Sequence, residues 1–244
     1  MSLYTYDLHV HSCLSPCGDE DNTPNNLAGM AVLNNIQILA LTDHNTTKNC
    51  PAFFTACKRY GIVPIPGMEL TTAEEIHVVC LFPTLEDAMA FNEEVDKRRV
   101  RFPNRPDIFG EQLIMNGDDE VIGFEQDYLT NATEITLEEA PVLVERHHGV
   151  CYPAHIDREA NGIIAILGTL PETPEFCNVE LHFAKNEAAY KAEYGLQGKR
   201  ILVSSDAHYL TDLREENQSI EIPDEPYSSA LVRENLIRIL RNEG

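Results

Sequence analysis

Histidines and acids gather in five short groups along this chain: Asp7-Leu8-His9-Val10-His11, Thr42-Asp43-His44, Gly67-Met68-Glu69, Pro153-Ala154-His155 and Ser205-Asp206-Ala207-His208. Imidazole nitrogens and carboxylate oxygens are ligands for divalent transition metals. A single His-x-His pair is also what two half-buried core histidines look like. Five groups, each closing an apolar run, point instead to a site that holds more than one ion. Alternate side chains of a strand share a face, so His9 and His11 project together and can grip one metal. Asp7 points the same way and is expected to fix an imidazole tautomer. Asp43 and His44 follow Ile38-Leu39-Ala40-Leu41, Glu69 follows Val63-Pro64-Ile65-Pro66, and Asp206 and His208 follow Ile201-Leu202-Val203. The ends of such runs are where a βα barrel assembles its active site.

The elements that must position these groups alternate along the chain. Strands are expected over Thr5–Val10, Ile36–Leu41, Ile62–Pro66, Ile76–Phe82, Val150–Ala154, Asn178–Phe183 and Arg200–Ser204, short apolar runs suited to buried parallel strands. Helices are expected over Pro24–Asn34, Cys50–Tyr60, Leu85–Val100, Leu137–His148, Glu187–Tyr194 and Ser228–Arg241. Thr23-Pro24 reads as an N-cap with proline at the first helical position, and Gly61 and Gly149 stand where helix C-caps belong. Seven βα units in one domain spanning 1–244 suggest a barrel-like closure. The segment 102–136, rich in Pro, Gly and Asp, breaks the rhythm and is expected to be an insertion on the catalytic face.

Composition narrows the function classes. The chain has 244 residues, 43% hydrophobic and 24% charged, with a formal net charge of −22. That charge offers little material for a basic patch, so bulk nucleic-acid binding is not expected. There is no 18-residue uncharged apolar run and no basic-apolar-small leader order, which leads to the expectation of a cytoplasmic protein outside the membrane. Seven cysteines without framework spacing fit free thiols.

Taken in order, Asp7-Leu8-His9-Val10-His11-Ser12, Thr42-Asp43-His44-Asn45, Gly67-Met68-Glu69, Pro153-Ala154-His155 and Ser205-Asp206-Ala207-His208 resemble the motifs of the PHP (polymerase and histidinol phosphatase) family, from residue 5 to about residue 210. The resemblance implies a distorted seven-stranded (β/α)7 TIM-like barrel, three divalent ions (zinc, manganese or iron) and phosphoesterase chemistry. By position, His9, His11, Glu69 and Asp206 would hold one ion. Glu69 would bridge to a second, completed by His77 and His155, and His44 and His208 would hold a third. Family members often place a histidine six residues after the second His of the first motif. Cys17 stands there in this chain, and its thiolate is a chemically sound ligand, with Asp19 as the competing candidate.

The expected reaction is attack of a metal-activated water on a phosphate ester, with Glu69 between two ions and either Asp43 or His208 relaying protons. Arg158 would hold phosphate oxygens through its guanidinium fork, unless it only pairs with Asp157 or Glu159. His182 is a further candidate substrate contact. The substrate is expected to be a small phosphorylated metabolite or nucleotide, against the alternatives of a 3′–5′ exonuclease and a non-catalytic metal-stabilised binding protein.

Overall fold

In the computed structural model, which describes residues 1–214 and 218–243, ten strands and eight α-helices follow one another. The strands are β1 (Ser2–Asp7), β2 (Ile38–Leu41), β3 (Val63–Thr71), β4 (His77–Leu81), β5 (Leu113–Met115), β6 (Val121–Phe124), β7 (Val150–Pro153), β8 (Asn178–Leu181), β9 (Arg200–Val203) and β10 (Gln218–Ile222). The helices are α1 (Pro24–Leu33), α2 (Cys50–Tyr60), α3 (Leu85–Lys97), α4 (Pro106–Phe109), α5 (Glu139–Arg146), α6 (Ile163–Leu167), α7 (Glu187–Glu193) and α8 (Ser229–Leu240). The main sheet is six-stranded, in the order β10-β1-β2-β3-β4-β7, and β8-β9 form a pair beside it.

The seven expected strands are present, but not all run parallel. Strands β1, β2 and β3 pair in parallel, with Tyr6 beside Ile38 and Ile38 beside Val63. Strand β4 then turns back antiparallel on β3, Thr71 facing His77, and β7 is antiparallel to β4. The cause is local: only the residues from Thr72 to Ile76 separate β3 from β4. A parallel return needs a crossover of a dozen or more residues. This hairpin carries the first residue of β4 to the same end of the sheet as the last residues of β3. Strand β10, absent from the sequence reading, pairs antiparallel with β1.

Single backbone bonds curl the remaining strands around. Ile156 N–H donates to Glu180 O at 2.8 Å, tying the end of β7 to β8. His11 N–H donates to Ala207 O at 3.0 Å, tying the segment after β9 to the segment after β1. Apolar clusters fill both faces, one around Leu8, Ile65, Val79 and Tyr152 and another around Leu27, Leu39 and Phe53. Thr23 caps α1 as expected, accepting from Asn26 N–H, and Gly61 closes α2 at φ +73°. Gly149 is a correction. His148 takes the left-handed turn at φ +57°, while Gly149 is small because a Cβ there would lie 2.7 Å from the Phe82 ring.

The 102–136 segment folds as α4 and the β5–β6 hairpin, and it packs on the loops that follow the first strands. Leu113 N–H donates to Cys13 O (3.1 Å), and Met115 N–H donates to Asn49 Oδ1 (2.9 Å). Asn45 Nδ2 reaches Leu129 O (2.7 Å) and Asn131 O (2.9 Å). The insertion therefore lies on the side of the sheet where the histidine groups emerge.

Candidate metal centre

Six strand ends deliver their side chains to one place. His9 and His11 follow β1, His44 follows β2, Glu69 lies in β3 and His77 opens β4, while His155 follows β7 and Asp206 and His208 follow β9. Glu69 is the hub. Its Oε2 lies 3.3 Å from His9 Nε2, 3.2 Å from His11 Nε2 and 3.0 Å from His44 Nδ1. Its Oε1 lies 2.7 Å from His77 Nδ1 and 3.0 Å from His155 Nε2. Asp206 Oδ1 stands 3.4 Å from His9 Nε2 and 3.2 Å from His11 Nε2. Three overlapping sets have ligand atoms within 4.8 Å of one another: His9, His11, Glu69 and Asp206; His44, Glu69 and His77; and His11, His44 and His208.

The ring orientations are fixed from behind. His9 Nδ1–H donates to Glu180 Oε1 at 2.8 Å, which leaves Nε2 as the lone-pair nitrogen facing the centre. His11 Nδ1–H donates to Ser15 Oγ at 3.0 Å, and that hydroxyl donates onward to Asp43 Oδ1 at 2.8 Å. His208 Nδ1–H donates to Asp206 O at 2.8 Å. Two ligand-bearing residues hold left-handed backbone, His155 at φ +26° and Asp206 at φ +51°. Such conformations cost about 1–3 kcal/mol and concentrate at functional sites.

The residues present fit metal ions. Glu69 Oε2, Asp206 Oδ1, His44 Nδ1 and His77 Nδ1 are buried without a hydrogen-bond partner. Buried polar atoms are rarely left so, because each orphan costs about 1–3 kcal/mol. Several lone pairs converging on a common point is the arrangement a cation resolves. The electrostatics agree. Burial alone would raise the pKa of Glu69, yet His77, His9 and His44 hold it well below the usual carboxylate range. Burial opposes charge on His11, but Asp206 and Glu69 push it up to about 9, and His9 is raised likewise, by Glu180, Glu69 and Asp206 against its own burial. Burial and the His11 charge push His208 down to about 4 and His44 down as well, so these two rings stand neutral.

Other expected residues fall into different places. Neither Cys17 nor Asp19 joins a ligand set: Cys17 is exposed on the wall of the adjoining cleft, and Asp19 Oδ1 is occupied by Asp21 N–H at 2.9 Å. The donor grouped with His44 and His208 is His11, whose Nε2 also faces Glu69 and Asp206. Asp43 stands behind the centre, accepting from Ser12 N–H, Ser12 Oγ and Ser15 Oγ at 2.7–2.8 Å. Asp7 does not touch an imidazole; it accepts from the backbone of His9 (3.3 Å) and Ser205 (3.1 Å), pinning two ligand segments together, and burial raises its pKa to about 6. Arg158 pairs with neither Asp157 nor Glu159 but reaches Asp206 Oδ2. Together with His182, Arg214, Asp206 and His208 it lines a cleft of about 680 Å³.

Glu180 is the residue that the sequence reading missed. It orients His9 and also accepts from His155 N–H at 3.1 Å, so one carboxylate in β8 braces two of the histidines gathered around Glu69. Its signal was an acid inside the apolar strand Val179-Glu180-Leu181, a position that burial makes costly without a partner. Ser15 was missed too, since a loop serine has no sequence signature.

Comparison with known proteins places this geometry. The sequence model of the PHP domain matches residues 7–192. A 5′-3′ exoribonuclease, Rnm, of Salmonella typhimurium (strain LT2) is 36% identical over 106 residues, which are 39% of this chain and 34% of that protein. The alignment thus spans about a third of the curated relative. Among solved structures, the lesion-specific endonuclease EndoQ of Pyrococcus furiosus superposes with a TM-score of 0.68 at 17% identity, over 100% of this chain and 57% of that one. Endonuclease Q in complex with a 27-mer duplex bearing an abasic lesion at the active site gives 0.69 at 16% identity, with the same coverage. These findings overturn the expectation of no nucleic-acid partner. That expectation averaged charge over the whole surface, whereas a phosphate meets only the local field of a cleft.

Proposed function

The chain belongs to the PHP domain family, and we propose that it is a metal-dependent phosphoesterase that hydrolyses nucleic-acid phosphodiesters. The observation that carries this reading is the fused ligand set around Glu69, opening into a cleft walled by Arg158, His182 and Arg214. The exoribonuclease relative and the structural likeness to endonuclease Q favour nucleic acid over a small metabolite. We read the cluster as three ion sites, with His9, His11, Glu69 and Asp206 at one, Glu69, His77 and His155 at a second, and His44 and His208 at a third. His11 has a single lone pair, at Nε2, and can serve only one ion. We also read the curled sheet with β8-β9 as a distorted seven-strand barrel, supported by the backbone bonds that join β7 to β8 and the ends of β9 and β1.

Bound divalent ions would lower the pKa of a water and neutralise charge on phosphate oxygens. The rest falls to this chain's own groups. Glu69 keeps neighbouring imidazoles at one point, and Glu180 and Ser15 hold His9 and His11 with the correct nitrogen inward. Arg158 is placed to grip a phosphate oxygen, its side chain 41% exposed to the cleft. His208, its Nδ1–H held by Asp206 O, would turn Nε2 to an ion, and Asp43 acts through Ser15 on His11 and is a positioning residue.

The test is cleavage of a 5′-phosphorylated single-stranded RNA, a single-stranded DNA and a nucleoside monophosphate, with added manganese or with chelator. Metal-dependent release of nucleotides from an oligonucleotide is expected, and Glu69→Gln should abolish it while the circular dichroism spectrum is kept. Hydrolysis confined to the monophosphate would overturn the assignment.

A further inference from the structure

The cleft holds a large aromatic ring that neither metal binding nor phosphate binding explains. Tyr209 directly follows the centre's His208, lines the same cleft, and is 54% exposed. An aromatic ring left open to water beside a buried polar centre gives up the burial that its size normally earns. The ring stands over a fixed base. Tyr209 N–H donates to Asp212 Oδ2 at 3.0 Å, and His208 N–H donates to the same oxygen at 3.2 Å. One carboxylate therefore locks the turn that carries both the imidazole and the ring.

The segment that carries His182 is built as firmly. Asp157 accepts from His182 N–H (2.6 Å), Phe183 N–H (3.1 Å) and Asn186 Nδ2 (2.7 Å), setting His182 into the cleft beside Arg158. Arg214 donates to His182 O at 2.8 Å. Guanidinium groups that suit phosphate and an exposed aromatic ring thus line one cleft. Every nucleobase has a π face that can stack on such a ring, whatever its sequence identity.

We propose that Tyr209 is a nucleobase-stacking platform, which seats the base next to the scissile phosphate and makes the site a reader of unpaired nucleotides. This rests on the nucleic-acid reading of the same cleft. A base can reach an exposed ring face to face only when it is unpaired and unstacked, so the platform selects single strands or frayed ends. It also supplies affinity that does not depend on basic residues, which suits a chain of net charge −22.

The experiment compares Tyr209→Ala and Tyr209→Phe with the wild type, all loaded with manganese. The substrates are a 5′-phosphorylated single-stranded RNA and the same oligonucleotide with its terminal base removed. On the intact strand, Tyr209→Ala should raise KM about tenfold with little change in kcat, and Tyr209→Phe should stay near wild type because the ring remains. Removing the terminal base should cost the wild type the same factor and cost Tyr209→Ala nothing further. A second measurement, binding of adenosine 5′-monophosphate against ribose 5-phosphate, should show a tenfold preference for the nucleotide that Tyr209→Ala loses. Equal KM values for intact and abasic strands, or an unchanged preference in Tyr209→Ala, would overturn the platform. If no oligonucleotide is cleaved, the nuclease reading falls, and the two-ligand binding comparison still decides the role of Tyr209.

Discussion

On each histidine of this centre a proton and a metal ion compete for one lone pair. His9 and His11 are raised, the latter from 6.5 to about 9, so the metal-free protein holds protons on both near pH 7. An ion must expel them, and apparent affinity should therefore climb as pH rises from 6.5 towards 9. Calorimetric titration of the metal-free protein in two buffers of different ionisation enthalpy should record proton release near neutrality; heats independent of buffer would show that the two rings are already neutral. Cys17 gives a second residue-level expectation. Because its thiol lies outside every ligand set, Cys17→Ser should keep full metal content by elemental analysis, whereas His208→Ala should lose about one ion. That His9, His11, His44, His77, His155 and His208 converge was legible in the sequence because strand alternation and position after apolar runs dictate where side chains point. The place of Cys17 was not, because spacing within a loop does not fix position: the structure sets Cys17 on the cleft wall, outside the grouped donors.

At the scale of elements, the ligands are only as well placed as the strands and loops that brace them. Glu180 in β8 holds His9 by its side chain and His155 by its backbone, joining the ends of β1 and β7. Removal of such a brace costs 10- to 100-fold in metal affinity or activity. Glu180→Gln should therefore lower kcat/KM by about that factor with the melting temperature little changed; normal activity in that variant would deny the brace its role. Asn49 is a different brace. Its Nδ2 donates to Ser12 Oγ and Leu113 O, both at 3.0 Å, and its Oδ1 accepts from Met115 N–H, so one side chain joins the loop after β1 to the inserted hairpin. Asn49→Ala leaves those buried groups unpaired and should cost about 1–3 kcal/mol in denaturant unfolding. The longer helices and the strands β1–β4 and β7–β9 were readable because their apolar patterns and caps agree. The direction of β4 was not readable from its apolar pattern, since buried parallel and antiparallel strands share it; the length of the connection was the telling feature. Elements α4, α6, β5 and β6 escaped because they are short, and β10 because it is a largely exposed edge strand whose apolar residues are only Ile220 and Ile222.

For the whole molecule, the question is how a chain of net charge −22 would engage the polyanion proposed as its substrate. Composition argued against it, and composition was a poor guide because affinity for phosphate depends on where charges lie. Here Arg158 and Arg214 both face the cleft, while acids elsewhere repel the rest of a nucleic-acid strand. Binding should then be confined to a few nucleotides at one end and should depend weakly on salt. Each neutralised phosphate of a single strand contributes a slope of about −0.7 to log affinity against log salt. Two guanidinium contacts predict about −1.4, and Arg158→Ala should bring the slope to about −0.7. The measurement is equilibrium binding of a fluorescent single-stranded oligonucleotide to Glu69→Gln, which should not cleave it, across 50–300 mM salt. A slope of about −4 or steeper, unchanged by Arg158→Ala, would mean that the strand runs along an extended basic track elsewhere. A shallow slope, together with equal affinity for short and long oligonucleotides, would establish that the molecule grips only the end it cuts.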